Sequence, residues 1–152
     1  MFSNIKISSS DLEKMIDAAR FAPTARNVQP WEFVVVTDRH KLIGLAELAE
    51  NGRFMAQAAA CVAVYCADTK YYLEDGCAAT CSILLAATAL GIGSCWIAGD
   101  KKSYSQQVSA LLNAPLDMKL ISLIALGYPQ EKGCFKLAEK RQFKELLHWE
   151  KF

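Results

Sequence analysis

The chain has 152 residues, a one-domain length, with 53% hydrophobic and 22% charged residues and a net charge of +1. So even a balance sets up no field to attract nucleic acid or a membrane surface, and no motif of a nucleic-acid reader is present. The high apolar share suits a well-filled core with an apolar face left for a partner.

In chain order, Ser10 with Glu13 three residues on forms a capping box and opens a helix. Leu12, Met15, Ile16 and Ala19 give it one apolar stripe, and it ends at Ala22. Residues 22–33 form an unusual connector, with two prolines, an Asn, a Gln and a Trp where about two to six residues would serve. Pro23 stops the helix, and Pro30 holds the approach to the next strand extended. Thr24, Asn27 and Gln29 between them suit a flat polar ligand, and a stiff structural loop is the plainer alternative.

Residues 33–37 are a β-branched run, read as a central strand. Asp38 caps a second helix with Leu42, Leu45, Ala46 and Ala49 on one face, ended by Asn51-Gly52. A short helix at 54–60 and a buried strand at 61–66 follow. Asp68-Thr69 offers a cap to the longest helix, 71–90, about 30 Å long at 1.5 Å per residue. That helix is rich in Ala, Cys, Ser and Thr and is apolar nearly all round, so it must be buried on most sides, within the chain or against a second subunit.

Residues 94–98 form a third strand, 103–112 a helix capped by Ser103, and 119–126 a fourth strand stopped by Gly127-Tyr128-Pro129. Residues 130–143 read as a basic irregular tail, and 146–152 as an edge strand. Alternating strands and helices around one long helix suggest a layered α/β-type domain over 1–152. Residues 76–99 carry no charge, yet Gly91 and Gly93 break them, so they read as a buried helix and strand rather than a membrane span.

The six cysteines stand at 61, 66, 77, 81, 95 and 134, in no zinc or iron–sulfur spacing. Cys77 and Cys81 share a helix face, where small buried side chains are the simpler reading and no metal is expected. The first 12 residues hold no apolar run of signal-peptide length, which predicts a cytoplasmic protein with reduced thiols. His40 and His148 read as structural.

The connector Ala-Pro-Thr-Ala-Arg-Asn-Val-Gln-Pro-Trp-Glu-Phe resembles the signature loop of the nitroreductase family of flavin enzymes. Three further stretches resemble that family in the same order: residues 76–99, residues 124–129, and residues 140–150. The resemblance implies an α+β fold, a mixed and mostly antiparallel sheet flanked by helices, in an intertwined homodimer with FMN at the interface. It implies electron transfer from NADH or NADPH to a small-molecule acceptor, a nitro compound or a quinone. A non-catalytic flavin-binding protein for storage or sensing is the alternative.

By the resemblance, Pro23, Thr24, Ala25 and Asn27 meet the flavin from the partner subunit, with Gln29 serving the ligand or the loop itself. Ala98 and Gly99 lie near the ring, and Lys140 and Arg141 hold the phosphate. The flavin carries the chemistry, so no catalytic side chain is required. Two departures stand out: the family's Arg-rich first segment is replaced by Met-Phe-Ser-Asn-Ile-Lys, and Arg26 stands where the family often has Gly or a small residue.

Overall fold

The computed structural model describes residues 2–130 and 139–152. Most of the basic tail and Cys134 lie outside the described residues. Four strands form one sheet in the order β1-β2-β4-β3: β1 (Trp31–Val36), β2 (Ala60–Ala67), β3 (Gly93–Ala98) and β4 (Met118–Gly127). All three pairings are antiparallel. β1 and β3 are the edges.

Helices cover both faces. On one side α1 (Ser9–Arg20) and α3 (Tyr72–Ala89) pack over Val62, Val64, Cys66, Ile124 and Leu126. On the other, α2 (Arg39–Leu48) and α4 (Ser105–Leu112) cover Cys61, Ala63, Tyr65, Leu123 and Ala125. β2 is therefore buried on both faces, and that is why its sequence is an unbroken apolar run. Each fully buried Leu, Ile or Val here is worth roughly 1.5–3 kcal/mol.

β4 carries a bulge. Val64 pairs with Ser122 and Tyr65 with Leu120, so Ile121 is the extra residue. Two consecutive residues then face α3: Ile121 meets Gly76, and the Ser122 hydroxyl lies 2.8 Å from that of Thr80. Thr80 also donates to the Gly76 carbonyl at 2.8 Å, so this buried polar pair is satisfied.

Several boundaries differ from the sequence expectations. Ser8, not Ser10, caps α1: its hydroxyl accepts from the Asp11 amide at 3.1 Å and donates to the Asp11 carboxylate at 2.8 Å. Asp38 caps α2 as expected, accepting from the Lys41 amide at 2.9 Å. The short helix is a 3-10 turn, Arg53–Gln57, and Ala60 already belongs to β2. α3 begins after Tyr71 without a side-chain cap. α4 starts at Ser105, whose hydroxyl bonds to the Lys102 carbonyl, rather than at Ser103.

Residues 146–152 form no strand; a 3-10 turn at Phe143–Glu145 precedes them, and residues 139–152 are exposed throughout. α3 is buried along one face only, through Asp75, Gly76, Ala79, Thr80, Ile83 and Ala87. Its outer face stays open, with Leu85 72% exposed. Among the described residues, no helix is long and apolar enough to cross a membrane.

Candidate functional site

The strand directions bring several expected site residues to one end of the sheet. β1 starts there, β2 ends there, β4 starts there and β3 ends there. The connector enters at Pro30, whose carbonyl accepts from the Ala67 amide at 2.9 Å. Ala98 and Gly99 leave from the opposite edge. The two edges are three interstrand spacings apart, about 14 Å.

The connector is tightly turned. Ala25–Asn27 form a 3-10 turn, and Arg26, Asn27 and Gln29 all take left-handed φ values of 57°, 56° and 52°. Left-handed backbone costs a residue with a Cβ on the order of 1–2 kcal/mol. The position where the family resemblance leads one to expect Gly or another small residue is thus occupied by an Arg in a conformation that favours Gly. Local bonds offset part of the cost. Thr24 Oγ1 accepts from the Gln29 amide at 3.1 Å. Gln29 Nε2 donates to Asn27 Oδ1 at 3.2 Å. Gln29 thus bonds within the loop, while Asn27 and Arg26 are exposed and Thr24 and Ala25 half-buried.

The loop is anchored from far along the chain. The Ala25 amide donates to Asp75 Oδ1 at 3.0 Å. Asp75 sits in the first turn of α3, buried, and its Oδ2 has no partner among the described residues. In the same turn, Tyr72 donates from its hydroxyl to Asp100 Oδ1 at 3.0 Å. That bond to a carboxylate raises the Tyr72 pKa, because it favours the protonated phenol. The first turn of α3 therefore reaches both edges at this end of the sheet.

Ala98 and Gly99 have most of their backbone engaged. The Gly99 amide donates to the Ile121 carbonyl at 2.9 Å, and the Asp100 amide to the same oxygen at 3.3 Å, so the bulge supplies their acceptor. The Ala98 carbonyl accepts from the Tyr104 hydroxyl. A Cβ at Gly99 would stand 2.6 Å from Leu120 Cγ and 3.0 Å from the Ile121 carbonyl carbon, so only glycine fits. Beside Tyr72 and Asp100 opens a cleft of about 900 Å³, reaching Ser105 and Ser109 on α4, Asn113 just past its end and Leu120 on β4.

Lys140 and Arg141 are exposed on the C-terminal arm. Arg141 donates from Nη2 to the Glu145 carbonyl at 3.1 Å and lies 3.6 Å from its carboxylate. Neither makes a hydrogen bond or ion pair to the connector among the described residues. Sequence reasoning missed Asp75, Tyr72 and Asp100. The available signal was spacing: Asp75 is four and eight residues before Ala79 and Ile83, which puts it on the buried face of α3. The described residues hold no cluster of His, Cys, Asp and Glu suited to a metal.

This architecture and this connector match known proteins closely. The model of the nitroreductase family matches residues 1–69, and a model described as "Putative TM nitroreductase" matches residues 41–151. An Archaeoglobus fulgidus protein described as "Putative NADH dehydrogenase/NAD(P)H nitroreductase" is 37% identical, over 100% of this chain and 91% of its own length. The solved structure of an FMN-dependent nitroreductase from Clostridium difficile superposes with a TM-score of 0.91 at 26% identity, covering 99% of this chain and 92% of that one. One described as "Putative NADH Oxidase", from Clostridium acetobutylicum, gives 0.90 at 25% identity, covering 99% and 93%. The fold is an α+β oxidoreductase fold. The chain belongs to the nitroreductase family.

Proposed function

We propose that the protein is an FMN-dependent oxidoreductase that takes electrons from NADH or NADPH and passes them to a nitro compound, a quinone or a similar small acceptor. The observation that carries this reading is the connector itself. In a chain of this family, its motif residues are held in a strained turn by Asp75, with the Asn27 amide exposed and the Thr24 hydroxyl close by.

The donor set fits the cofactor. Thr24 and Asn27 offer a hydroxyl and an amide for a flat ring with polar edges, while Ala25, its amide donated to Asp75, meets the ring by packing and Pro23 stiffens the approach. Lys140 and Arg141 are exposed cations suited to a phosphate, since guanidinium is a two-pronged donor. Ala98 and Gly99 flank the ring by backbone approach, their free groups limited by the bonds to Tyr104 and Ile121. When bound, FMN supplies the two-electron chemistry. The chain's own residues bind the ring, fix its plane and leave one face accessible.

The working form in this reading is a homodimer. A site built from both the connector and Ala98–Gly99 of one chain would have to bridge about 14 Å of sheet, whereas two chains side by side can each lend one half. The apolar outer face of α3, the two open sheet edges and the exposed arm with Trp149 at 77% all favour a partner. Five described cysteines stand free, which suits a reducing cytoplasm. The test is a purified protein with FMN added. It should hold stoichiometric flavin and scatter light as a dimer at micromolar concentration. A colourless protein after gel filtration, or a monomer mass with FMN present, would sink the reading.

A further inference from the structure

Asp75 is 5% exposed, and it lies on the face of α3 that carries Gly76, Ala79, Thr80 and Ile83 into the core. Burying a carboxylate costs free energy unless its oxygens are bonded. Here Oδ1 takes a single donor, the Ala25 amide 50 residues back in the chain, and Oδ2 takes none among the described residues. Core packing alone gives no reason for a carboxylate at this point. The burial makes sense if the bond to Ala25 is what the residue is for.

Ala25 is the residue just before the left-handed pair Arg26 and Asn27, with Gln29 left-handed again after Val28. The same helical turn holds Asp100 through Tyr72, and the Gly99 and Asp100 amides hang from the Ile121 carbonyl at the bulge. Ile121 in turn packs against Gly76, the neighbour of Asp75. One rigid turn of helix is thus braced to the connector at one edge and to the segment after β3 at the other.

We propose that Asp75 is a positioning residue for the ring-binding connector. It sets the connector's conformation before any ligand arrives, with Tyr72 as the second arm of the same brace. This rests on the reading of the connector as a flavin contact. Because the hold on the turn runs through one amide, its removal frees the turn at Ala25–Asn27, while Pro30 stays bonded to Ala67. A free turn must then be ordered by the ligand, and affinity for the ring falls.

The test combines amide exchange by NMR with ligand titration on the full chain, for wild type, Asp75→Ala and Asp75→Asn. In the wild type without ligand the Ala25 amide should be protected. In Asp75→Ala it should exchange at least roughly tenfold faster, while the Val62 and Val64 amides of β2 stay as they were. FMN and riboflavin should weaken together by roughly tenfold, the size expected for a lost bond to a charged group. Asp75→Asn keeps an acceptor and should restore both affinities to within about threefold, by the same arithmetic.

The proposal is overturned if Ala25 is unprotected in the wild type, or if Asp75→Ala leaves both affinities unchanged. It is overturned too if Asp75→Asn is as damaging as Asp75→Ala and accelerates the β2 amides, which would make Asp75 a general core residue. Should Asp75→Ala not fold, wild-type exchange at Ala25 and the Asp75→Asn titration decide. If the wild type binds no flavin, the functional reading fails, and the brace is judged on Ala25 exchange alone.

Discussion

Gly76→Ala sets two effects against each other. Alanine is the better helix former, by about 1 kcal/mol in a helix interior. But a Cβ at Gly76 would lie 2.6 Å from Ile121 Cγ1, 3.0 Å from Ile121 Cγ2 and 2.9 Å from Cys66 Sγ. Carbon atoms sit comfortably at about 3.5–4.0 Å. Turning Ile121 about χ1 still leaves one of its two branches facing this point, and Ile121 is buried at the bulge. The first turn of α3 has to lift instead. Overpacking of this kind costs about 1–3 kcal/mol, so it offsets the helix gain and leaves a net loss of up to about 2 kcal/mol. The lift also carries Asp75 away from Ala25. Urea unfolding of wild type and variant measures the first consequence, and flavin titration the second. A variant more stable by about 1 kcal/mol, the bare helix-propensity value, would refute the close packing of α3 on the β4 bulge.

Three further outcomes are expected. Arg26→Val should lower stability, because a β-branched side chain suits the left-handed region still less than the Arg already there, whereas Arg26→Gly relieves the roughly 1–2 kcal/mol left-handed cost and should not lower it; equal losses in urea unfolding would contradict the turn. Arg141→Ala should weaken FMN roughly tenfold and leave riboflavin, which lacks the phosphate, almost unchanged; an equal loss for both ligands would assign Arg141 to the fold. Burial pushes the Cys61 thiol from 9.0 up to about 12. The folded state therefore keeps a proton that the unfolded chain loses, and stability falls as pH rises from 9 toward 12, by about 1.4 kcal/mol per pH unit for this one group. Cys61→Ala should flatten that fall in melts taken between pH 8 and 10, and an unchanged slope would place the titration elsewhere.

The parts of the fold that were legible in the sequence are those with a local cause. β2 is an apolar run because both of its faces are covered, and α2 follows Asp38 because a cap and a periodic stripe coincide. The start of α1 was misplaced because Ser8, Ser9 and Ser10 all offer caps, and only the side chain of Asp11 selects the first. The bulge at Ile121 was invisible, since a strand buried on both faces has no alternation to break. The imperfect alternation at 146–152 suggests an edge strand, but a strand needs a partner edge, and among the described residues of this chain it has none.

The site divided in the same way. The connector was legible because its motif is contiguous. Its anchorage was not, because the Ala25–Asp75 bond spans 50 residues and an acid in the first turn of a helix reads equally well as a complement to the helix dipole. Arg26 looked like an unexplained departure until its φ of 57° showed the strain that the position imposes.

The central claim, an FMN enzyme driven by NADH or NADPH, is tested most directly by anaerobic mixing. Flavin-loaded protein is combined with NADPH, and separately with NADH, while the visible flavin band is followed. The account predicts that at least one donor bleaches the band within a catalytically useful time, and that a quinone or nitro compound restores it. If neither donor bleaches the bound flavin at any practical rate, the protein binds flavin for storage or sensing, and the enzyme reading is contradicted.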